Sequence, residues 1–140
     1  MAERAITLEV ITPERVVFRE EVDSLIVPGA EGLLGVLPDH APMVAALKIG
    51  ILTYRKDGER RRVAVAGGFF EVADNHAVVL SDAAERAEEI DVLRARQAAE
   101  RARRRLAERE ANWDFERARA ALNRALNRLR AAGADTGDLA

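Results

Sequence analysis

Glu89-Ile90-Asp91-Val92-Leu93-Arg94-Ala95 opens, and Leu122-Asn123-Arg124-Ala125-Leu126-Asn127-Arg128-Leu129 closes, a stretch from Glu85 to Arg130 that divides the chain into two kinds of sequence. Ala, Arg, Glu and Leu, all strong helix formers, fill it. No Gly or Pro occurs between Gly68 and Gly133, whereas all four prolines and seven of the nine glycines lie at or before Gly68. The stretch reads as two amphipathic helices. From Arg94 to Arg130 there are twelve Arg against five acids, a local charge of +7 in a chain of net charge -2. So concentrated a positive face in an acidic protein suits an anionic partner.

In the first helix Ile90, Leu93, Gln97, Ala98, Ala102 and Leu106 form a thin apolar stripe. In the second, Phe115, Ala118, Leu122, Ala125, Leu126 and Leu129 follow i, i+3, i+4 spacing. Asn112-Trp113-Asp114 is the expected turn, with Asp114 or Asn112 capping the second helix. Stripes this narrow offer little apolar area to hold such a hairpin on the strands, so its detachment should cost little.

Upstream the pattern changes to short strands. Ile6, Leu8 and Val10 alternate with polar residues, Thr12-Pro13-Glu14 turns the chain, and Val16 to Arg19 and Val22 to Val27 follow as β-branched runs. Pro28-Gly29 is read as a break, Leu33 to Leu37 as a strand, and Met43 to Leu52 as a strand bent at Gly50. Asp57-Gly58 between two runs is a strong hairpin signal. Gly67-Gly68 and Asp74-Asn75 are read as turns around Phe69 to Val72. About ten strands with no intervening helix imply an antiparallel β-sandwich, followed by an antiparallel α-helical hairpin. The expected organisation is a sandwich over 1–84, a hairpin over 85–132 and a flexible tail over 133–140. Residues 1–84 carry a charge of -4 and residues 85–140 a charge of +2, which supports that boundary.

Other classes find little support. With no cysteine, disulfides and thiolate metal sites are excluded. Met1-Ala2-Glu3-Arg4 leads directly into strand alternation, so no signal peptide is expected. No apolar run approaches the roughly 20 residues of a spanning helix. Two histidines and no Gly loop followed by Lys-Ser/Thr leave no catalytic constellation, and no catalytic residue is assigned. His40, in a Pro-flanked loop, is read as a packing or partner-contact residue.

Arg94 and Arg101 are seven apart on one helical face, and Arg124 and Arg128 are four apart on another. In a folded hairpin all four could converge, and guanidiniums that close repel unless an anion sits between them. Triphosphate oxygens suit their fork geometry. Ala95 leaves room for a flat ring, and Asp91 could accept from an exocyclic amine. A solvated arginine face, with Asp91 as a first-turn carboxylate at the helix dipole, accounts for the same spacing.

The order and spacing of several motifs are more specific. Ile26-Val27-Pro28-Gly29-Ala30-Glu31-Gly32-Leu33-Leu34-Gly35-Val36-Leu37-Pro38-Asp39-His40-Ala41-Pro42 precedes Gly67-Gly68-Phe69-Phe70-Glu71-Val72 and Val79-Leu80-Ser81-Asp82-Ala83-Ala84-Glu85. Along nearly its whole length the chain resembles the family of ε subunits of bacterial F-type ATP synthases. Ile90 to Ala95 is similar to that family's Ile/Leu-Asp-x-x-Arg-Ala nucleotide motif. The resemblance implies a rotor subunit held by its sandwich between the γ subunit and the membrane c-ring, peripheral on the cytoplasmic face of the plasma membrane. It implies a hairpin that extends toward the α/β subunits to obstruct ATP hydrolysis. It also implies, as in thermophilic bacilli, that the folded hairpin binds ATP as a regulatory ligand. The matching positions are Glu85, Ile90, Asp91, Arg94, Ala95, Arg101, Arg124 and Arg128. No metal is expected in the hairpin, whose acids already face arginines. Glu31 and His40 are the candidate rotor contacts, with an ordinary turn role open for both. A nucleic-acid-binding module is the competing reading, motivated by Arg103-Arg104-Arg105; an aromatic content of only 4% argues against it.

Overall fold

The computed structural model describes residues 5–108 and 114–137. The Asn112-Trp113 part of the expected turn lies outside these residues, as do Met1 to Arg4. The chain forms two compact units, Met1–Glu85 and Arg86–Ala140.

The first unit is built from β1 (Ile6–Ile11), β2 (Val16–Val22), β3 (Ser24–Gly29), β4 (Gly32–Val36), β5 (Met43–Lys56), β6 (Glu59–Ala73) and β7 (His76–Leu80), with β8 (Ala84–Arg86) at its end. The strand order is β2-β1-β7-β6-β5-β3-β4, and β8 pairs with β6. Ring contact between Phe18 of β2 and Tyr54 of β5, centroids 5.6 Å apart, brings distant parts of the sheet face to face. Ile6, Leu8, Val10, Val22, Leu52, Val63, Phe70 and Val79 share one buried core with them, aliphatic for the most part. Alternation along β1 sends Ile6, Leu8 and Val10 inward while Thr7 and Glu9 face out.

The architecture is the expected sandwich, with four differences in detail. Eight strands are present among the described residues, where about ten were expected, because β5 and β6 run on for 14 and 15 residues. Gly67 and Gly68 do not end a strand. They sit inside β6 at φ +76° and +111°, and a side chain at Gly68 would overlap the Leu80 carbonyl. One pairing, β1 with β7, is parallel. It joins segments nearly seventy residues apart, which no local pattern reveals.

Pro28-Gly29 likewise belongs to β3, opposite Leu33 and Gly32 of β4. Between Ile26 and Gly29 the β3–β5 register shifts, so the missing N–H of Pro28 falls at a bulge. Gly50 makes room for that ring, since a Cβ there would lie 2.5 Å from the Pro28 Cβ. Asp57-Gly58 and Asp74-Asn75 both hold positive φ and close tight hairpins, as the sequence indicates.

The second unit begins with a single 3₁₀ turn, Ala87–Glu89, followed by α1 (Val92–Glu108) and α2 (Phe115–Ala131). Two 17-residue helices packed on each other form the hairpin. Ala95, Ala99 and Ala102 of α1, and Ala118, Ala125 and Leu129 of α2, are buried. Small side chains let the backbones approach closely but remove little area from water.

Candidate functional site

Local chemistry fixes where α1 starts. Ile90 closes the 3₁₀ turn through its backbone N–H, which donates to the Ala87 carbonyl at 3.3 Å. The Asp91 Oδ1 then accepts the backbone N–H of Arg94 at 3.1 Å, and the Asp91 carbonyl accepts that of Ala95 at 3.0 Å. Asp91 is therefore the N-cap of α1. Asp114 does the same for α2, accepting the Arg117 N–H at 3.0 Å. The plainer reading makes Asp91 a first-turn carboxylate; it stands instead just before the first turn, which holds no acid, and its second carboxylate oxygen is on an exposed side chain.

Between the helices lies a groove of about 580 Å³, within the range of small-molecule sites. Among the described residues, four that bear a guanidinium line it, Arg101 and Arg105 from α1 and Arg117 and Arg124 from α2, together with Asp114. Ala98, Ala102, Ala118 and Ala121 form its remaining wall. Their short side chains leave the space that the arginines surround.

Of the positions expected from sequence, the groove unites Arg101 with Arg124. Arg105 and Arg117 were not anticipated. Their signal was present, because Arg105 follows Arg101 by one turn and Arg117 precedes Arg124 by two. Arg94 and Arg128 do not line the groove. Arg94 lies seven residues before Arg101, roughly 10 Å along the axis at a helical rise. Arg94 is exposed, and Arg128 is partly buried near the end of α2. Ala95 has no exposed surface and Ile90 very little, so in this conformation neither offers a face for a ring. Glu85 belongs to the sandwich unit, beside Ala84 on β8.

On the sandwich, Glu31 is exposed at the two-residue turn between β3 and β4. It borders a depression of about 610 Å³ walled by Leu33, Leu34, Met43 and Val44. His40 lies in the next loop, where its Nδ1 is 2.6 Å from the Ala41 carbonyl oxygen. That loop is pinned at Asp39, whose N–H donates to Asn75 Oδ1 while Asn75 Nδ2 donates to Asp39 Oδ1. Among the described residues no cluster of His, Cys, Asp and Glu could hold a metal ion, and no helix is long and apolar enough to cross a membrane.

Comparison with known proteins assigns both units. Residues 5–87 match the ATP synthase delta/epsilon chain beta-sandwich domain, and residues 88–133 match the long alpha-helix domain of the same chain. The chain belongs to the ATP synthase delta/epsilon family, on the side of the bacterial epsilon chains. It is 56% identical over 129 residues to the ATP synthase epsilon chain of Symbiobacterium thermophilum, covering 91% of this chain and 93% of that one. To the epsilon chain of Carboxydothermus hydrogenoformans it is 58% identical over 128 residues, covering 91% and 96%. Among solved structures it resembles a chain of the Euglena gracilis mitochondrial ATP synthase OSCP/F1/c-ring assembly, with a TM-score of 0.75 and 27% identity over 91% of this chain and 81% of that one. A chain of the Tetrahymena thermophila central stalk/c-ring structure shares the fold, with a TM-score of 0.58 at 13% identity over 92% and 97%.

Proposed function

We propose that this chain is a rotor-stalk subunit whose helical hairpin senses ATP and restrains ATP hydrolysis. Its sandwich would bind the γ subunit and the c-ring, with Glu31 and His40 among the contacts, at the cytoplasmic face of the membrane. Its hairpin, when extended, would meet the catalytic α/β subunits. The observation that carries the sensing reading is the arginine-lined groove between α1 and α2, where Arg101 and Arg124 face one volume. Guanidinium forks bind phosphate oxygens bidentately, and a polyphosphate would relieve their mutual repulsion. Arg105 and Arg117 would add to the phosphate end. Asp91, Arg94 and Arg128, further along the hairpin, would serve the nucleoside end.

Regulation follows from linkage. A ligand that binds only the folded hairpin stabilises it by about 2.7 kcal/mol at a hundredfold excess over Kd. That suffices to reverse a modest bias toward extension, provided the affinity differs between the two states. ATP is bound here as a signal and is not hydrolysed, with no metal assigned to the hairpin. The chain itself performs no catalysis.

The test is a hydrolysis assay on the assembled enzyme with and without residues 86–140. The reading requires assembly with γ to persist and hydrolysis at low ATP to rise when the hairpin is absent. An unchanged rate would remove the hairpin from regulation.

A further inference from the structure

At the end of the hairpin away from the 109–113 connection, a charge-assisted hydrogen bond joins α1 to the chain beyond α2. Arg96 Nη2 donates to the backbone carbonyl of Asp135 at 2.8 Å. The acceptor is held in place by a sequence of backbone bonds. Ala132 N–H donates to the Arg128 carbonyl, Gly133 N–H to that of Arg130, and Ala134 N–H to that of Leu129. Gly133 takes φ +79°, the left-handed conformation that turns a chain off the end of a helix. The Asp135 Oδ1 in turn accepts the Gly137 N–H at 2.9 Å.

From this geometry we infer that Arg96 and the 133–137 segment form a clasp that holds the folded hairpin shut. The connecting residues tie α1 to α2 at one end, and the clasp ties them at the other. Alanines together with Leu126 and Leu129 fill the seam between these points, and the bond to a cation adds to what resists opening. The direction is favourable too, since the guanidinium lies beside the carbonyl-rich C-terminal end of α2. Arg96 shares its helical turn with Arg94, and the tail springs from the turn that carries Arg128. Closing the clasp therefore orders the part of the hairpin that the groove does not reach. The inference concerns the hairpin without nucleotide and stands apart from the sensing reading.

Native-state hydrogen exchange on the full chain tests it, read at amides of both helices in the absence of ATP. A 17-residue helix is marginal alone, so amide protection in α1 and α2 reports their docking. Arg96→Ala improves intrinsic helix propensity, and a purely local effect would leave or raise protection. The clasp predicts instead that protection falls about fivefold in both helices, the size of one charged hydrogen bond near solvent. A chain ending at Gly133 should show the same loss, whereas a chain ending at Gly137 should match the full length. In the chain ending at Gly133, Arg96→Ala should have no further effect. Unchanged α2 protection in Arg96→Ala, or losses that add between the two changes, would overturn the clasp.

Discussion

Asp91 is bonded to Arg94 through the backbone: its Oδ1 accepts the Arg94 N–H at 3.1 Å, leaving the Arg94 guanidinium free of that contact. Asp91 thus has a structural job that exists before any ligand arrives. Folding and binding roles can be separated at this position. Asn caps a helix as well as Asp does, whereas Ala costs about 1 kcal/mol. Asp91→Asn should keep the helicity of the wild type and still weaken ATP binding, if the carboxylate contacts the nucleotide. Asp91→Ala should lower both. Circular dichroism and calorimetry on the two variants check this.

The arginine groove makes a separate prediction. Arg101→Ala or Arg124→Ala should reduce ATP affinity about tenfold, the loss of one charge-assisted contact. Arg117→Ala should do the same by a smaller factor. Arg119→Ala, on an exposed side chain that does not line the groove, should leave affinity unchanged. Titration of each variant, with thermal melting to confirm folding, distinguishes a site from a general cationic surface.

The sandwich should be intolerant at Gly68. Its φ of +111° disfavours any side chain, and a Cβ would overlap the Leu80 carbonyl. Gly68→Ala should therefore destabilise the sandwich by more than about 2 kcal/mol, read as a fall in Tm. Gly58→Ala meets no neighbour and has only its φ of +79° to oppose it, so its cost should be smaller.

Removing residues 86–140 should leave a folded sandwich. The buried cluster from Ile6 to Ala84 lies wholly inside the first unit. The truncated chain should retain a cooperative melting transition. Its loss would mean that the sandwich depends on the helical unit.

The nucleic-acid reading of Arg103-Arg104-Arg105 can be put to direct test. Backbone-driven binding falls steeply with salt. Titration with RNA or DNA at physiological salt should give no tight complex, and a tight one would favour that alternative over the rotor assignment.

Much of the fold was legible because strong local signals carried it. Asp57-Gly58 and Asp74-Asn75 dictated their turns, Ile6 to Val10 alternated cleanly, and Asp114 marked the start of α2. What escaped the sequence was non-local. The parallel β1–β7 pair depends on contacts between distant segments, and Gly67-Gly68 resembles a turn until β6 is seen to continue past it. In the site, arginine spacing located the helical face but not which residues share one groove. That depends on how far α1 and α2 are offset along each other. Hence Arg105 and Arg117 join Arg101 and Arg124, while Arg94 and Arg128 lie further along.

Isothermal titration of ATP into the isolated chain decides whether the folded hairpin senses nucleotide. Saturable binding of one ATP per chain is expected, weakened by Arg101→Ala and by Arg124→Ala. No heat of binding at millimolar ATP, or binding indifferent to both substitutions, would contradict it.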